Sequence, residues 1–341
     1  MIAVEYHHDL KEVQLDPALS SLLSTDCQHS PFDRLAWWQG LADHCGMAPT
    51  LAVARNGKGL AVLPLTGGKG HLESLSNWYT FRYRPVSNCD ETRQFLDAIA
   101  NDLSGKAHRV TLSGLPDEDG SASAIEESFR QAGWTVIREE CDANHVLELR
   151  GRSYENFLES RPGKLRTTLK RKTSKVETQV LTHFDAGVWE AYLAIYRDSW
   201  KPEEGSPEFL RAFAEAEGRA GRLRLAIAHG KSGEFEGKPV ATQMWTVEGG
   251  TAFIHKLAHR EDAKPISPGS VLSAALFRHV IDIDKVDLVD FGTGNDAYKR
   301  DWMEIVRPRY RLDMFRPFAP QNWLVFAKSG VRRLAGWGKQ S

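Results

Sequence analysis

Between Phe253 and Trp302 the chain gathers residue types that can hold an anion or move a proton: Lys256, Ser267-Pro268-Gly269-Ser270, Asp290, Gly292, Gly294, Tyr298 and Lys299. A proline at a helix start, followed by small residues, leaves the first backbone N–H groups free to point outward. With the helix dipole behind them, these groups suit a pyrophosphate, which makes Ser267, Gly269 and Ser270 candidate anion contacts; taken by itself the turn reads equally as an ordinary capped helix start. Asp290 ends an apolar run, where α/β proteins often place ligands. Its carboxylate can orient an amine or take its proton once burial raises the pKa, or it can satisfy the N–H groups of the turn that follows. Gly292 and Gly294 allow positive φ or close backbone approach. If Tyr298 begins a helix, Lys299 points about 100° away from it and Trp302 shares its face, as packing.

The elements that must carry these residues are readable from periodicity. Apolar runs at 51–55 and 60–65 flank Asn56-Gly57-Lys58-Gly59, a hairpin signal. Segment 72–86 reads as strand and loop, 91–103 as helix, 108–113 as strand, and 121–132 as helix capped by Ser121. An extended run at 134–139 is expected to pair with 146–149. Helices are expected at 154–160, 164–177, 188–200 and 207–218, then strands at 222–228, 239–247 and 251–259. Helix 269–282, strand 286–291, helix 296–305 and strand 309–315 follow.

Strict alternation on strand 251–259 puts Lys256 on one face with Ala252, Ile254 and Ala258. A lysine among such neighbours calls for an anion, either a substrate group or Asp290. His255 is a base candidate by residue type, although a lone strand histidine is commonly structural. Arg161, Lys164, Arg166, Lys170, Arg171, Lys172 and Lys175 form a basic run with no acid between Arg161 and Val176. It reads as a solvated helix face or as a contact for a phosphate-rich partner: tRNA, a nucleotide-sugar, or an anionic membrane surface. The segment from Trp323, mixing cations with Leu324, Phe326, Leu334 and Trp337, reads as a solvated tail or a short amphipathic surface segment.

Lys and Arg total 44 against 45 Asp and Glu, a formal net charge of −1. Any pull on nucleic acid or membrane must therefore be local. No apolar stretch approaches the roughly 18 residues that span a bilayer, and the N-terminus lacks the order of a secretory signal. The four cysteines are scattered without a C-x-x-C pair, which argues against a disulfide framework or zinc site. The expectation is a cytoplasmic protein, peripheral at the inner membrane if the basic helix binds lipid, with no metal implied.

Lys256, Ser267-Pro268-Gly269, Asp290-Phe291-Gly292, Gly294, Tyr298-Lys299 and Trp302 together resemble the hallmark of a bacterial acyltransferase family. It is the branch of the GNAT superfamily described as cellulose-biosynthesis-type acetyltransferases, related to the Fem aminoacyl transferases. The resemblance extends through the basic run to Pro317 and, more faintly, to the hairpin at 60–65. It implies an α/β (α+β) fold of two tandem GNAT-like units with mixed central sheets flanked by helices. A degenerate unit would occupy 1–150 and an acyltransferase domain 151–318, followed by a basic tail at 319–341.

The implied activity is N-acyl transfer from acetyl-CoA or another acyl-CoA to the amine of a small molecule or of a polysaccharide or cell-envelope precursor. Aminoacyl transfer from charged tRNA, or a non-catalytic binding role in exopolysaccharide assembly, are the alternatives. By resemblance Ser267, Gly269 and Ser270 hold coenzyme A. Tyr298 protonates the leaving thiolate, for which a phenol of pKa about 10 is suited. Asp290, or a water it orients, serves as base, and Lys256 contacts a substrate anion. Gly292, Gly294, Lys299 and Arg166 complete the substrate contacts. One departure stands out: the family's usual turn, Arg/Gln-x-x-Gly-x-Gly/Ala, is represented here by Gly269 alone.

Overall fold

Asn56 closes its hairpin through its own side chain, whose Oδ1 accepts from the N–H groups of Lys58 (2.8 Å) and Gly59 (3.0 Å). This is the local chemistry that makes Asn-Gly turns reliable. The computed structural model describes residues 1–89 and 92–322. Two compact units emerge among the described residues, one comprising 1–42, 46–89, 92–142 and 308–322, the other 43–45 and 143–307.

In the first unit β1 (Ala3–His7) precedes α1 (Leu10–Leu15), α2 (Pro17–Leu22) and α3 (Leu35–Cys45). The hairpin β2 (Pro49–Arg55) and β3 (Leu60–Gly68) then leads to β4 (His71–Ser74) and the short β5 (Val86–Ser87). Helix α4 (Thr92–Leu103) crosses to β6 (Arg109–Leu115), which runs parallel to β4, and α5 (Ser121–Gln131) leads into β7 (Thr135–Glu148). Phe95, Leu96, Ile99 and Leu103 of α4 and Ile125 and Phe129 of α5 recur at helical spacing and fill the core against β2, β3 and β6.

In the second unit α6 (Tyr154–Glu159) and α7 (Gly163–Lys172) precede β8 (Val176–Leu181), α8 (Ala186–Arg197) and α9 (Pro207–Arg219). Antiparallel β9 (Leu223–Gly230), β10 (Pro239–Glu248) and β11 (Thr251–His259) follow, then α10 (Pro268–Arg278), β12 (Leu288–Thr293) and β13 (Ile305–Phe315). Strand order is β7-β12-β11-β10-β9-β8, with β11 and β12 parallel. Leu165 and Leu169 of α7 and Val271, Leu272, Leu276 and Phe277 of α10 share a core with Ala252, Ile254 and Trp302.

Several expectations are corrected. The stretch 134–149 is one strand, β7, rather than two paired ones, and Gly120, not Ser121, caps α5 without a side-chain bond. The helix expected over 164–177 stops at Lys172 and gives way to β8, whose alternating burial was hidden among charged residues. The helix expected over 296–305 is only a 3-10 turn at Ala297–Asp301. From Pro308 onward the last strand groups with the first unit, because Leu312 to Phe315 pair with β6, whereas chain order would put it in a 151–318 domain. The segment from Trp323 lies outside the described residues.

Candidate active site

Strands β11 and β12 pair only over Thr251–Phe253 and Leu288–Asp290, and then separate. Six further residues of β11 extend past the last pair (Phe253↔Asp290), so the sheet opens between two parallel strand ends. Into that region points α10. Ser267 precedes it in the left-handed region (φ 52°), makes no capping bond with its side chain, and passes to Pro268 as the first helical residue. Left-handed serine is strained, and a buffer of free N–H groups at Gly269 and Ser270 is what that turn gains.

The first turn of α10 is pinned from below. Trp245 Nε1 donates to Gln243 Oε1 (2.9 Å), and Gln243 Nε2 donates to Ser273 Oγ (2.8 Å) and the Gly269 carbonyl (3.2 Å). A Cβ at position 269 would come within 3.1 Å of the His259 ring and push the imidazole back by a few tenths of an ångström, so glycine lets it lie close against the helix start. A cleft of about 220 Å³ opens there, lined by Leu165, Trp200, Leu257, His259, Gly269, Ser270, Ser273, Tyr298, Trp302 and one carboxylate, Asp301. Trp200 packs on His259 with ring centroids 4.5 Å apart.

Of the expected residues, the cleft collects Gly269, Ser270 and Tyr298. Tyr298 meets Phe291 edge-on at 5.7 Å, and burial, then the charge of Asp296, raises its phenol pKa well above 10. Trp302 stacks on Phe277 at 4.8 Å, the packing role its spacing implied.

The others have different work. Asp290 does not line the cleft: its Oδ1 accepts from Asn144 Nδ2 (2.7 Å) and from the Gly292 N–H (2.8 Å). This is the turn-satisfying reading of that carboxylate. Gly292 (φ 67°) and Gly294 (φ 97°) are both left-handed, and Lys299, itself buried, donates to the Thr293 carbonyl inside the same turn. Arg166 is exposed on α7, next to the cleft-lining Leu165.

Lys256 departs most from the sequence reading. Met244 pairs with Lys256 but Trp245 pairs with Ile254, so His255 is an extra residue in β11. This bulge reverses the alternation beyond it. Ala252, Ile254 and Leu257 pack with α10, while Lys256 turns to α8, where it bonds Glu204 Oε1 at 2.8 Å beside Tyr196. Burial lowers its pKa and Glu204 opposes the shift. His255 bonds Thr246 Oγ1 at 2.8 Å and packs against Phe213, a structural setting. Sequence reading also missed Trp200, His259 and Leu165. A tryptophan just past a helix carries no motif.

A family model described as an acetyltransferase (GNAT) domain matches residues 163–300, the stretch that builds this cleft. Residues 163–300 form a GNAT domain. No curated protein matches the chain by sequence. Solved structures similar across nearly the whole length include L-PGS from Bacillus licheniformis (TM-score 0.58, 12% identity, 94% of this chain and 96% of that one). FemX is also similar (TM-score 0.56, 10% identity, 90% and 96%), as is a tandem GNAT protein from the clavulanic acid biosynthesis pathway (0.50, 12%, 91% and 98%). At these identities the likeness is one of fold: a mixed α/β architecture shared by Fem-type and tandem GNAT proteins. Family membership makes the GNAT domain an acyltransferase-type module. Among the described residues, no helix is long and apolar enough to cross a membrane.

Proposed function

We propose that the GNAT domain transfers an acyl group from acyl-CoA to a primary amine. The observation that carries this reading is the meeting of three features in one cleft: the overhanging end of β11, the uncapped start of α10, and Tyr298. The residues present fit the donor. Gly269 and Ser270 offer backbone N–H groups to a pyrophosphate, while Leu165, Leu257, Trp200 and Trp302 offer apolar walls to a pantetheine-like arm. The donor supplies an activated acyl carbonyl.

The chain's own contribution is positioning and proton handling. Past Phe253 β11 stays paired with β10 but not with β12, so the N–H groups on its β12 edge are the candidate donors to a developing oxyanion. Tyr298 keeps its proton well into alkaline solution and lines the cleft, which supports it as the group that delivers a proton to a leaving thiolate. Asp290 shapes the glycine turn beside Tyr298 and is a positioning residue, so a water or the acceptor's own equilibrium supplies the free amine. The test is isothermal titration with acetyl-CoA and longer acyl-CoAs, followed by mass detection of acylated amines. Absence of binding by every acyl-CoA would overturn the reading.

A second reading, transfer from an aminoacyl-tRNA, is favoured by one observation. Lys164, Arg166, Lys170, Arg171 and Lys175 are exposed, and among the described residues none has a carboxylate within 4 Å. A salt-sensitive tRNA mobility shift without acyl-CoA binding would select it.

A further inference from the structure

His255 is the base candidate by residue type, yet its ring is committed to Thr246; His259, four residues on, is the histidine that reaches the cleft. The bulge at His255 is what sends it there. Beyond the extra residue, Leu257 and His259 alternate onto the α10 side, and both line the cleft. The His259 ring is held on three sides. Nδ1 lies 3.0 Å from the Arg260 carbonyl oxygen, and the Trp200 indole packs on the ring with centroids 4.5 Å apart. The Cδ2 edge faces Gly269 at the start of α10, 3.1 Å from where a Cβ would stand.

A carbonyl oxygen only accepts, so Nδ1 is the donor of that bond and carries the ring proton. The neutral ring therefore leaves Nε2, the atom next to Cδ2, with a lone pair. Among the described residues no protein group bonds Nε2. One nitrogen tied to the backbone and the other open is how a histidine is set to accept protons. The other titratable groups lining the cleft are Tyr298 and Asp301, both from the 3-10 turn. Helices α7 and α10 and the segment at Trp200 contribute Leu165, Gly269, Ser270, Ser273 and Trp200, none of them charged. At the strand end the Arg260 guanidinium is held by Asp262 at 2.7 Å and lies 3.9 Å from Asp198. Asp301 makes no hydrogen bond or ion pair with a described residue, so its carboxylate is a negative charge for an ammonium to meet.

We propose that His259 Nε2 takes the proton that the acceptor amine sheds as it is acylated. This rests on the acyl-transfer reading and deepens it, giving the chain a base where that reading leaves the proton to water or to equilibrium. The acceptor nitrogen bonds to the acyl carbon and gives one proton to Nε2. The carbon–sulfur bond breaks, its electron pair stays on sulfur, and sulfur takes the Tyr298 proton. The imidazolium then releases its proton to solvent and the tyrosinate regains one, so both residues end as they began. Base and acid line one cleft, His259 on the β11 overhang and Tyr298 on the 3-10 turn. The charge that forms on the ring lies against the Trp200 indole, whose face favours a cation. Only the neutral ring accepts a proton, so the rate falls as pH drops through the imidazole range, about 5 to 8.

Two measurements on the full chain test this. Long-range nitrogen–proton NMR reads the tautomer of each histidine, and the His259 signals are those missing from His259→Gln. The neutral ring is expected to carry its proton on Nδ1. A proton on Nε2 overturns the proposal, and this reading needs neither donor nor acceptor. The second measurement is the pH–rate profile for acetyl-CoA with ethanolamine, lysine and glucosamine as acceptors. His259→Gln should lower kcat about a hundredfold and flatten the ascending limb. Acetyl-CoA is titrated in parallel, and its binding by His259→Gln shows that the variant is folded. A variant that keeps both rate and limb overturns the proposal. If no acyl-CoA binds the parent protein, the transfer reading falls and the base role falls with it. If acyl-CoA binds but the ring carries Nε2–H, or His259→Gln changes nothing, the base alone falls. Where none of the three amines is acylated, the tautomer decides.

Discussion

The two units repeat one construction, strand, crossover helix, parallel strand, second helical segment, yet they wall the spaces beside it differently. In the first unit the motif is β4-α4-β6-α5, and β4 stops at Ser74, one residue past its last pairing with β6. In the second it is β11-α10-β12 and the 3-10 turn, and β11 runs on for six residues past its last pairing. The corresponding space in the first unit is a cavity of about 200 Å³ at the starts of α4 and α5, lined by Gln28, Arg84, Thr92, Asp119, Ser121 and Ala124. Arg84 is fixed there by Asp33 at 2.9 Å and reaches Asp119 at 3.6 Å. The second unit walls its space with aromatic rings, uncapped helix-start amides and a single carboxylate, Asp301, instead. The lesson is that the shared scaffold does not make a site. Strand overhang, apolar walls and uncommitted N–H groups do, and the first unit has spent its polar groups on one another.

The sharpest way to break this comparison is to fill each space in turn. Ser270→Trp puts an indole into the second unit's cleft and should weaken acyl-CoA binding by about a thousandfold, roughly 4 kcal/mol. Ala124→Leu fills the first unit's cavity and should leave the same titration unchanged. If Ala124→Leu instead lowers acyl-CoA affinity, the units have been assigned the wrong roles.

Smaller effects sharpen it. Tyr298→Phe removes the acid and nothing else of size, so kcat should fall by about a hundredfold while donor binding holds. Because burial keeps this phenol protonated past pH 10, its loss should lower the pH–rate profile without moving the alkaline limb. A limb that shifts with the substitution would show Tyr298 titrating in the working range. Gln243→Leu cuts the bonds that hold the first turn of α10. It should cost about 1–3 kcal/mol in denaturant unfolding and raise the donor dissociation constant several-fold.

How much of this the sequence disclosed depends on the kind of information. Ser267-Pro268-Gly269 declared a helix start because proline and small residues act locally, and Asn56-Gly57 declared a hairpin for the same reason. Two tandem units followed from the family resemblance carried by the second half. The orientation of Lys256 was illegible, since one bulged residue at His255 reverses every side chain after it and nothing in Phe253-Ile254-His255-Lys256 marks the bulge. Trp200 was equally silent: its place at the cleft arises from His259, which is distant in the chain. Asp290 had two readings from sequence, and only the bonds from Asn144 and Gly292 choose between them.

The smallest effect on folding separates the two donor readings. Lys170 and Arg171 sit on the exposed side of α7, outside the cleft, and among the described residues no carboxylate pairs with them. Replacing both with glutamine should change unfolding free energy by no more than about 0.5 kcal/mol, as for other solvated surface positions. For an acyl-CoA enzyme the double variant keeps its donor affinity and its rate. A tRNA-dependent enzyme would lose affinity and flatten in salt response, because each lost phosphate contact removes roughly one unit from the log–log slope. Arg161, in the turn between α6 and α7, is a quite different cation: it is buried and bonded to the Trp302 carbonyl and Glu304, so it belongs to the fold. Its substitution would unfold the unit and say nothing about the donor, which is why the exposed pair is the one that discriminates.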